Sequence, residues 1–421
     1  MNKRLAALVI AFGLVAAACS SSEAESSAPA TSEADETSDD DTTSSSQAPT
    51  PEQTGDVAAN PVDAGLDPFV ASIVTTWQTD WTNSTIDLSD LAAGIQRPDP
   101  RDAIPPIDDP VYESPNAAGE WLDPDEPGAL VQRDGLARFY PLSILTRHEI
   151  VNTEFGGGPV VVTFCPLCNT ALSFDAVVDG EATRFGVSGL LRKSDLVMWD
   201  DRTDSLWQQI TGEAIVGEFA GMTLTPISTA IVSFKDFQAS FPDGESLSRD
   251  TGFSIEYGAN PYVGYSSQDA PIRPFFPEDP DPRFPALSRV VGVQADGIEK
   301  AYTFADLEAA GVVNDTVGSQ PVVLFWGDGT KDALDAGRLA ESQAIGTGIA
   351  FDPTVNGEVL TFSSNGDGGF VDEQTGTTWT LLGEAVDGEL AGVILDTVTH
   401  RNEFWFAWAG FFGEVGEVYE A

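Results

Sequence analysis

Cys165-Pro166-Leu167-Cys168 is the stretch of this 421-residue chain whose residue types and spacing are best suited to chemistry. A disulfide across two intervening residues closes only a small loop and adds little stability, although an oxidising compartment would favour it. A redox dithiol of this spacing relies on a helix that begins at the first cysteine and lowers its thiol pKa. The residues that follow here, ALSFDAVV, read instead as a strand. As a knuckle between two strands, the pair presents two sulfurs, half of a tetrahedral metal shell. The remaining ligands are sought among His148 and His400, the only histidines of the chain, and Met198 in DLVMWDD. His148 lies one turn before the strand that ends at Cys165, and His400 ends the second half of the chain. A thioether from Met198 would favour copper over zinc, so copper or zinc is the expected cofactor. Each candidate also has a plainer use, the histidines as ordinary surface groups and Met198 as a core methionine.

Two acidic pairs, Asp108-Asp109 and Asp200-Asp201, have the chemistry of a general base or a hard-cation ligand. With 67 acidic residues against 20 basic ones, solvated surface is the simpler account of both. No glycine-rich phosphate loop or nucleophile elbow is visible, and GVSGLL at 186 to 191 matches neither. A hydrolase or nucleotide-binding function therefore has no motif behind it.

The elements that position the cysteines repeat along the chain. VQRDGLARFYPL from Val131 matches VQADGIEKAYTF from Val293, and IVNTEFGGGPVVV from Ile150 matches VVNDTVGSQPVVL from Val312. FDAVVDGEATRF from Phe174 aligns with FDPTVNGEVLTF from Phe351, and the Trp207 stretch aligns with that of Trp379. The two units run over 128 to 240 and 288 to 412, joined by an ordered connecting loop over 241 to 287. Shared features, among them Trp207 with Trp379, Asp201 with Asp372 and the Gly-Glu-Ala turns at Gly212 and Gly383, read as framework. The sulfurs occur in the first unit only, since PVVLFW of the second is followed by GDGTKDALDAG.

Short β-branched and aromatic runs separated by Gly, Asp and Asn turns predict antiparallel strands and hairpins. One helix is expected before each PVVV strand, over 141 to 148 and 304 to 310. The expected fold is mostly β (β-rich α+β), two sequence-related barrel- or sandwich-like units packed with pseudo-twofold symmetry. Residues 57 to 127 are expected to form an N-terminal wrapping segment, and the proline-rich, acidic stretch over 97 to 128 is expected to be extended.

The first nineteen residues have a basic start at Lys3 and Arg4, an apolar run, and small residues ending at Cys19. They read as a lipoprotein signal peptide whose cysteine is lipidated, placing the protein outside the cytoplasm and attached to the membrane by lipid alone. Residues 20 to 56, rich in Ser, Thr and acidic residues with almost no large apolar side chain, read as a disordered tether. The formal net charge of −47 makes nucleic acid and anionic lipid surfaces poor partners. A saline habitat fits the same balance.

Over about 85 to 412 the sequence resembles a bacterial family catalogued as a domain of unknown function, DUF3179. The likeness rests on IPPIDDP, ARFYPLSIL, HEIVN from His148, TFCPLCNTALSFD, GVSGLLRKSDLVMWDDRTDSLWQQ, GEAIVG, DTGF, NPYVGY, VVNDT and the closing FWFAW. Arg147 and Thr153 stand where relatives often carry Trp and Asp. The resemblance implies that the cysteine element and its histidine neighbour are family hallmarks, and it implies no activity. The leading expectation is a transition-metal site of Cys165, Cys168 and His148, completed by His400 or Met198. A thiol-disulfide oxidoreductase and a non-catalytic surface binding module with a structural bridge are the alternatives.

Overall fold

The computed structural model describes residues 65 to 421, so the leader, Cys19 and the tether lie outside the described residues. The fold is mostly β, built from small sheets of two to five strands. The short run Phe69 onward forms the helix Pro68–Ile73, with Asp67 accepting from the Phe69 and Val70 amides as its N-cap. Among the described residues no helix is long and apolar enough to cross a membrane.

The strand that ends at Cys165, Gly158–Cys165, pairs antiparallel with Ile150–Phe155 on one side and Thr170–Asp175 on the other. Val160, Val161 and Val162 are buried, which explains the unbroken PVVV run: a strand covered on both faces has no polar side. The helix before it, Leu142–His148, closes on Glu149 in the left-handed conformation. A sheet of order Thr229–Ser233, Pro127–Arg133, Leu136–Pro141, Glu245–Leu247 and Tyr112–Glu113 flanks this layer. Phe185–Arg192, Asp195–Asp200, Leu206–Gln208 and Ala214–Val216 form another sheet with Leu91–Ala93 at its edge.

The order of elements in the first half recurs in the second. His400–Phe404, Arg289–Ala295, Ile298–Thr303 and Glu417–Val418 form a sheet of the same succession. In both sheets the third and fourth strands pair parallel, Glu245–Leu247 on Leu136–Pro141 and Glu417–Val418 on Ile298–Thr303, where antiparallel pairing alone is expected from sequence. The chain returns through a helix in each case, Phe234–Ser240 and Trp405–Phe412, and a helical return permits the parallel approach. The predicted helices are present as Leu142–His148 and Phe304–Ala310.

The Asp179-Gly180 turn and its counterpart Asn356-Gly357 both take positive φ at the two central residues, as a two-residue hairpin requires. One correspondence shifts by a residue: the partner of Asp372 is Asp200 and not Asp201. Asp200 accepts from the Trp207 indole at 2.9 Å, and Asp372 accepts from the Trp379 indole at 3.0 Å. Both aspartates also cap their own turns, through the amides of Thr203 and Thr375. Asp201 is exposed, so the two adjacent aspartates are unlike in role.

The connecting loop crosses over the first half and is tied to it. Tyr265 donates to the Leu167 carbonyl at 3.0 Å, and the Ser194 amide donates to the Phe275 carbonyl at 2.8 Å. The largest apolar cluster therefore holds residues of the first half, Tyr265 and Phe276 of the loop, and Phe404 and Phe406 of the second half. Cys165 and Cys168 are members of it.

Candidate metal centre

Cys165 and Thr170 face each other at the end of the hairpin, so Pro166, Leu167, Cys168 and Asn169 make the knuckle between the strands. Asn169 closes it at φ 57°, and the Asn169 amide donates to the Pro166 carbonyl at 3.3 Å. The two thiols are free, with Cys165 2% exposed and Cys168 fully buried. A strand follows the second cysteine, as the sequence indicates, so no helix dipole lowers either thiol pKa.

A third group meets them. The sulfurs of Cys165 and Cys168 and a carboxylate oxygen of Asp195 all lie within 4.8 Å of one another. Asp195 is fully buried at the start of its strand. Its Oδ2 accepts from Gln208 Nε2 at 2.6 Å and from the Ile210 amide at 3.0 Å. Its Oδ1 is buried and has no protein partner. Thr170 Oγ1 and Ser194 Oγ, both adjacent in chain or register to these ligands, are likewise buried without a partner.

The turn that delivers Asp195 is Lys193-Ser194, with φ of 50° and 63°. Two positive-φ residues suit a two-residue hairpin, yet neither is the Gly or Asn that adopts that conformation at least cost. Ser194 contributes the carbonyl that lies 3.7 Å from the Cys165 sulfur. The strained turn thus holds both Ser194 and Asp195 against the cysteine knuckle.

Burial dominates the electrostatics. It pushes the Asp195 carboxyl up to about 6, against the lowering effect of Gln208, the Ile210 amide and the two neighbouring thiols. It raises the Cys165 thiol, with the charges of Asp195 and Glu149 adding to the rise. Cys168 is raised well above its ordinary value by burial, and the neighbouring Cys165 adds to this. Glu149, the buried residue before Ile150, is pushed up to about 7 by burial, while the hydrogen bond from Tyr262 at 3.3 Å acts the other way. The cluster is an acid-rich interior in which burial favours the protonated forms and a bound cation would favour the charged ones.

Of the ligands predicted from sequence, the structure brings together Cys165 and Cys168 and does not bring the histidines to them. Neither histidine forms a group of metal-ligand spacing with the sulfurs among the described residues. His148 has both ring nitrogens engaged, Nδ1 with the Pro105 carbonyl at 2.6 Å and Nε2 with the Tyr257 hydroxyl at 2.7 Å. Since a carbonyl only accepts, Nδ1 carries the proton and Nε2 accepts from Tyr257. His148 therefore clamps the IPPIDDP segment and the crossing loop onto its helix. His400 is buried, its Nδ1 against the Val398 carbonyl at 2.8 Å, and burial pushes it down to about 4. Met198 is a fully buried core residue, opposite Val187 and Trp207 in its sheet.

Asp195 was not among the sequence candidates. It is one of 67 acidic residues, and only the hairpin register of Phe185–Arg192 with Asp195–Asp200 carries it to the knuckle. The tight RKSD turn between two apolar runs is the one local signal. Asp108 pairs with Arg184 at 2.9 Å on the wall of an open groove of about 790 Å³, which Asp109 and Asp201 also line. Its two arginines, Arg184 and Arg202, are paired with Asp108 and Glu181.

A family model described as "Protein of unknown function (DUF3179)" matches residues 101–415. The chain belongs to the DUF3179 family. No curated protein and no solved structure shows a significant match to it. The stretch matched by the DUF3179 model contains the knuckle, the RKSD turn, Glu149 and the connecting loop, so the whole cluster falls inside the family's domain.

Proposed function

We propose that this DUF3179 protein binds a transition metal through Cys165, Cys168 and Asp195. The observation that carries this is the fully buried Asp195 carboxylate, one oxygen of which lies with two thiol sulfurs inside a 4.8 Å group and whose Oδ1 has no hydrogen-bond partner of ordinary geometry. A buried carboxylate whose remaining neighbours are weakly donating thiols is unfavourable, and a divalent cation bonded to it and to two thiolates removes that penalty. Two sulfurs and one carboxylate oxygen suit zinc, which accepts both ligand types; copper(I) would call for a softer third ligand such as the Met198 thioether. Three protein ligands leave a fourth position for a small molecule or a further side chain.

The thiol-disulfide alternative is weaker on two counts. Both sulfurs are buried in the apolar core, and both thiol pKa values are raised, whereas dithiol exchange needs an accessible thiolate. Export and lipid attachment at Cys19, and two copies of one unit related by a pseudo-twofold axis, complete the proposal. The leader sequence supports the first, and the recurring order of strands and helices supports the second.

The test is metal content together with free-thiol count on exported protein, for wild type, Cys165→Ser and Asp195→Asn. One zinc per chain in the wild type, lost in Cys165→Ser and weakened in Asp195→Asn, is the expected result. Metal-free wild type with a readily cycled disulfide would transfer the assignment to thiol exchange. One copper per chain would keep the site and change its metal.

A further inference from the structure

The helix before the first PVVV strand ends on a residue that is costly there. Glu149 closes Leu142–His148 at φ 59° and ψ −28°. The matching helix Phe304–Ala310 closes on Gly311 at φ 70° and ψ −37°. The two backbones agree bond for bond. The Glu149 amide donates to the Leu145 carbonyl at 2.8 Å, and the Gly311 amide donates to that of Leu307 at 2.8 Å. The Glu149 carbonyl accepts from Phe164 at 2.8 Å, and that of Gly311 accepts from Trp326 at 3.0 Å. Glycine is the residue this cap favours, because a left-handed conformation strains any residue with a Cβ. The half without cysteines has glycine. The half with cysteines has a glutamate, whose carboxyl is buried where charge is unfavourable.

Neither the cap nor the core gains from that side chain. Its one hydrogen bond with another side chain comes from Tyr262 of the connecting loop at 3.3 Å. The Glu149 carbonyl holds the amide of Phe164, the residue before Cys165, at 2.8 Å, which sets Glu149 beside the cysteine strand, and its charge acts on Cys165. Glu149 is not one of the three groups within 4.8 Å of each other.

We infer that Glu149 serves the metal centre and not the fold: its carboxylate is a positioning group that holds the fourth ligand of the ion bound by Cys165, Cys168 and Asp195. This rests on the metal-site assignment above. A buried carboxylate on the residue bonded to the cysteine strand has the place of the outer partners that orient a metal's ligands, whose loss typically weakens binding about tenfold to a hundredfold. Tyr262 holds the carboxylate in turn, so the connecting loop is linked to the ion through two side chains.

The experiment is competition titration of zinc against a chromogenic chelator for the full exported chain, as wild type, Glu149→Gln and Glu149→Gly. Thermal unfolding of each metal-stripped form is measured alongside. Both variants are expected to bind zinc about tenfold or more weakly than wild type. The metal-stripped Glu149→Gly form, which has the residue of the second half, should unfold at a temperature no lower than wild type. Glu149→Gln keeps the side-chain volume and the cap, so it reads the carboxylate even if the glycine variant folds poorly. Wild-type affinity in both variants would overturn the role of Glu149 while leaving the three-ligand site standing. A wild type that binds no zinc would overturn the site itself, and with it this inference.

Discussion

Asp195 is the residue on which the electrostatics turn. With its carboxyl raised from the ordinary 3.8 to about 6, the metal-free protein binds a proton there that the unfolded chain has released. The sign follows: this contribution to stability is fully present below about pH 4 and is lost as pH rises through about 6. A change of that size is worth about 3 kcal/mol in the absence of metal. In chelator, the stability of wild type relative to Asp195→Asn should therefore fall by roughly that amount between pH 4 and pH 7. Denaturant unfolding at several pH values measures it. His400, pushed down to about 4, has the opposite dependence, but both proteins carry it and it cancels in the difference. With zinc present the trend should invert, because deprotonation of the ligands favours binding as pH rises. At this scale the sequence shows Cys165 and Cys168 plainly, because cysteine is rare in the chain. It hides Asp195 and Glu149 among many other acids, since what sets those two apart is burial.

The elements were more legible than the ligands. The PVVV strands, the preceding helices and the glycine turns follow from apolar runs and turn chemistry, which are local properties. The parallel pairings and the place of Asp195 depend on contacts between distant segments, and local pattern is silent on those. His148 shows the difference. Its position one turn before the cysteine strand suggests a ligand, yet the segment around Pro105 and the loop around Tyr257 occupy both its nitrogens. His148→Ala should lower stability by about 2 kcal/mol through loss of two buried hydrogen bonds and should leave zinc stoichiometry unchanged. Unfolding curves and metal content on one preparation test both parts. The framework aspartates give a matched pair: Asp372→Asn should cost about 2–3 kcal/mol, because Trp379, Thr375 and Thr377 all donate to a carboxylate that is fully buried. Metal binding should be untouched, and a loss of zinc in this variant would show that the second half contributes to the site.

At the scale of the whole molecule, a net charge of −47 on one chain implies self-repulsion that salt relieves. The unfolding temperature should rise between low and molar salt, and a fall would show that paired surface charges dominate instead. The duplicated order of elements gives the account its logic, because the second half displays the framework without sulfurs. It has Gly311 where the first half has Glu149, and it follows its PVVL strand with Gly-Asp-Gly-Thr in place of the cysteine knuckle. The features present only in the first half converge on one buried point, beneath the connecting loop and against Phe404, whose amide donates to the Cys168 carbonyl at 2.9 Å. X-ray absorption at the zinc edge of the loaded protein addresses that point directly. The account predicts two sulfur neighbours at about 2.3 Å and oxygen neighbours at about 2.0–2.2 Å, with the oxygen shell reduced in Asp195→Asn. A spectrum with no sulfur neighbours, or one dominated by histidine nitrogen, would contradict it.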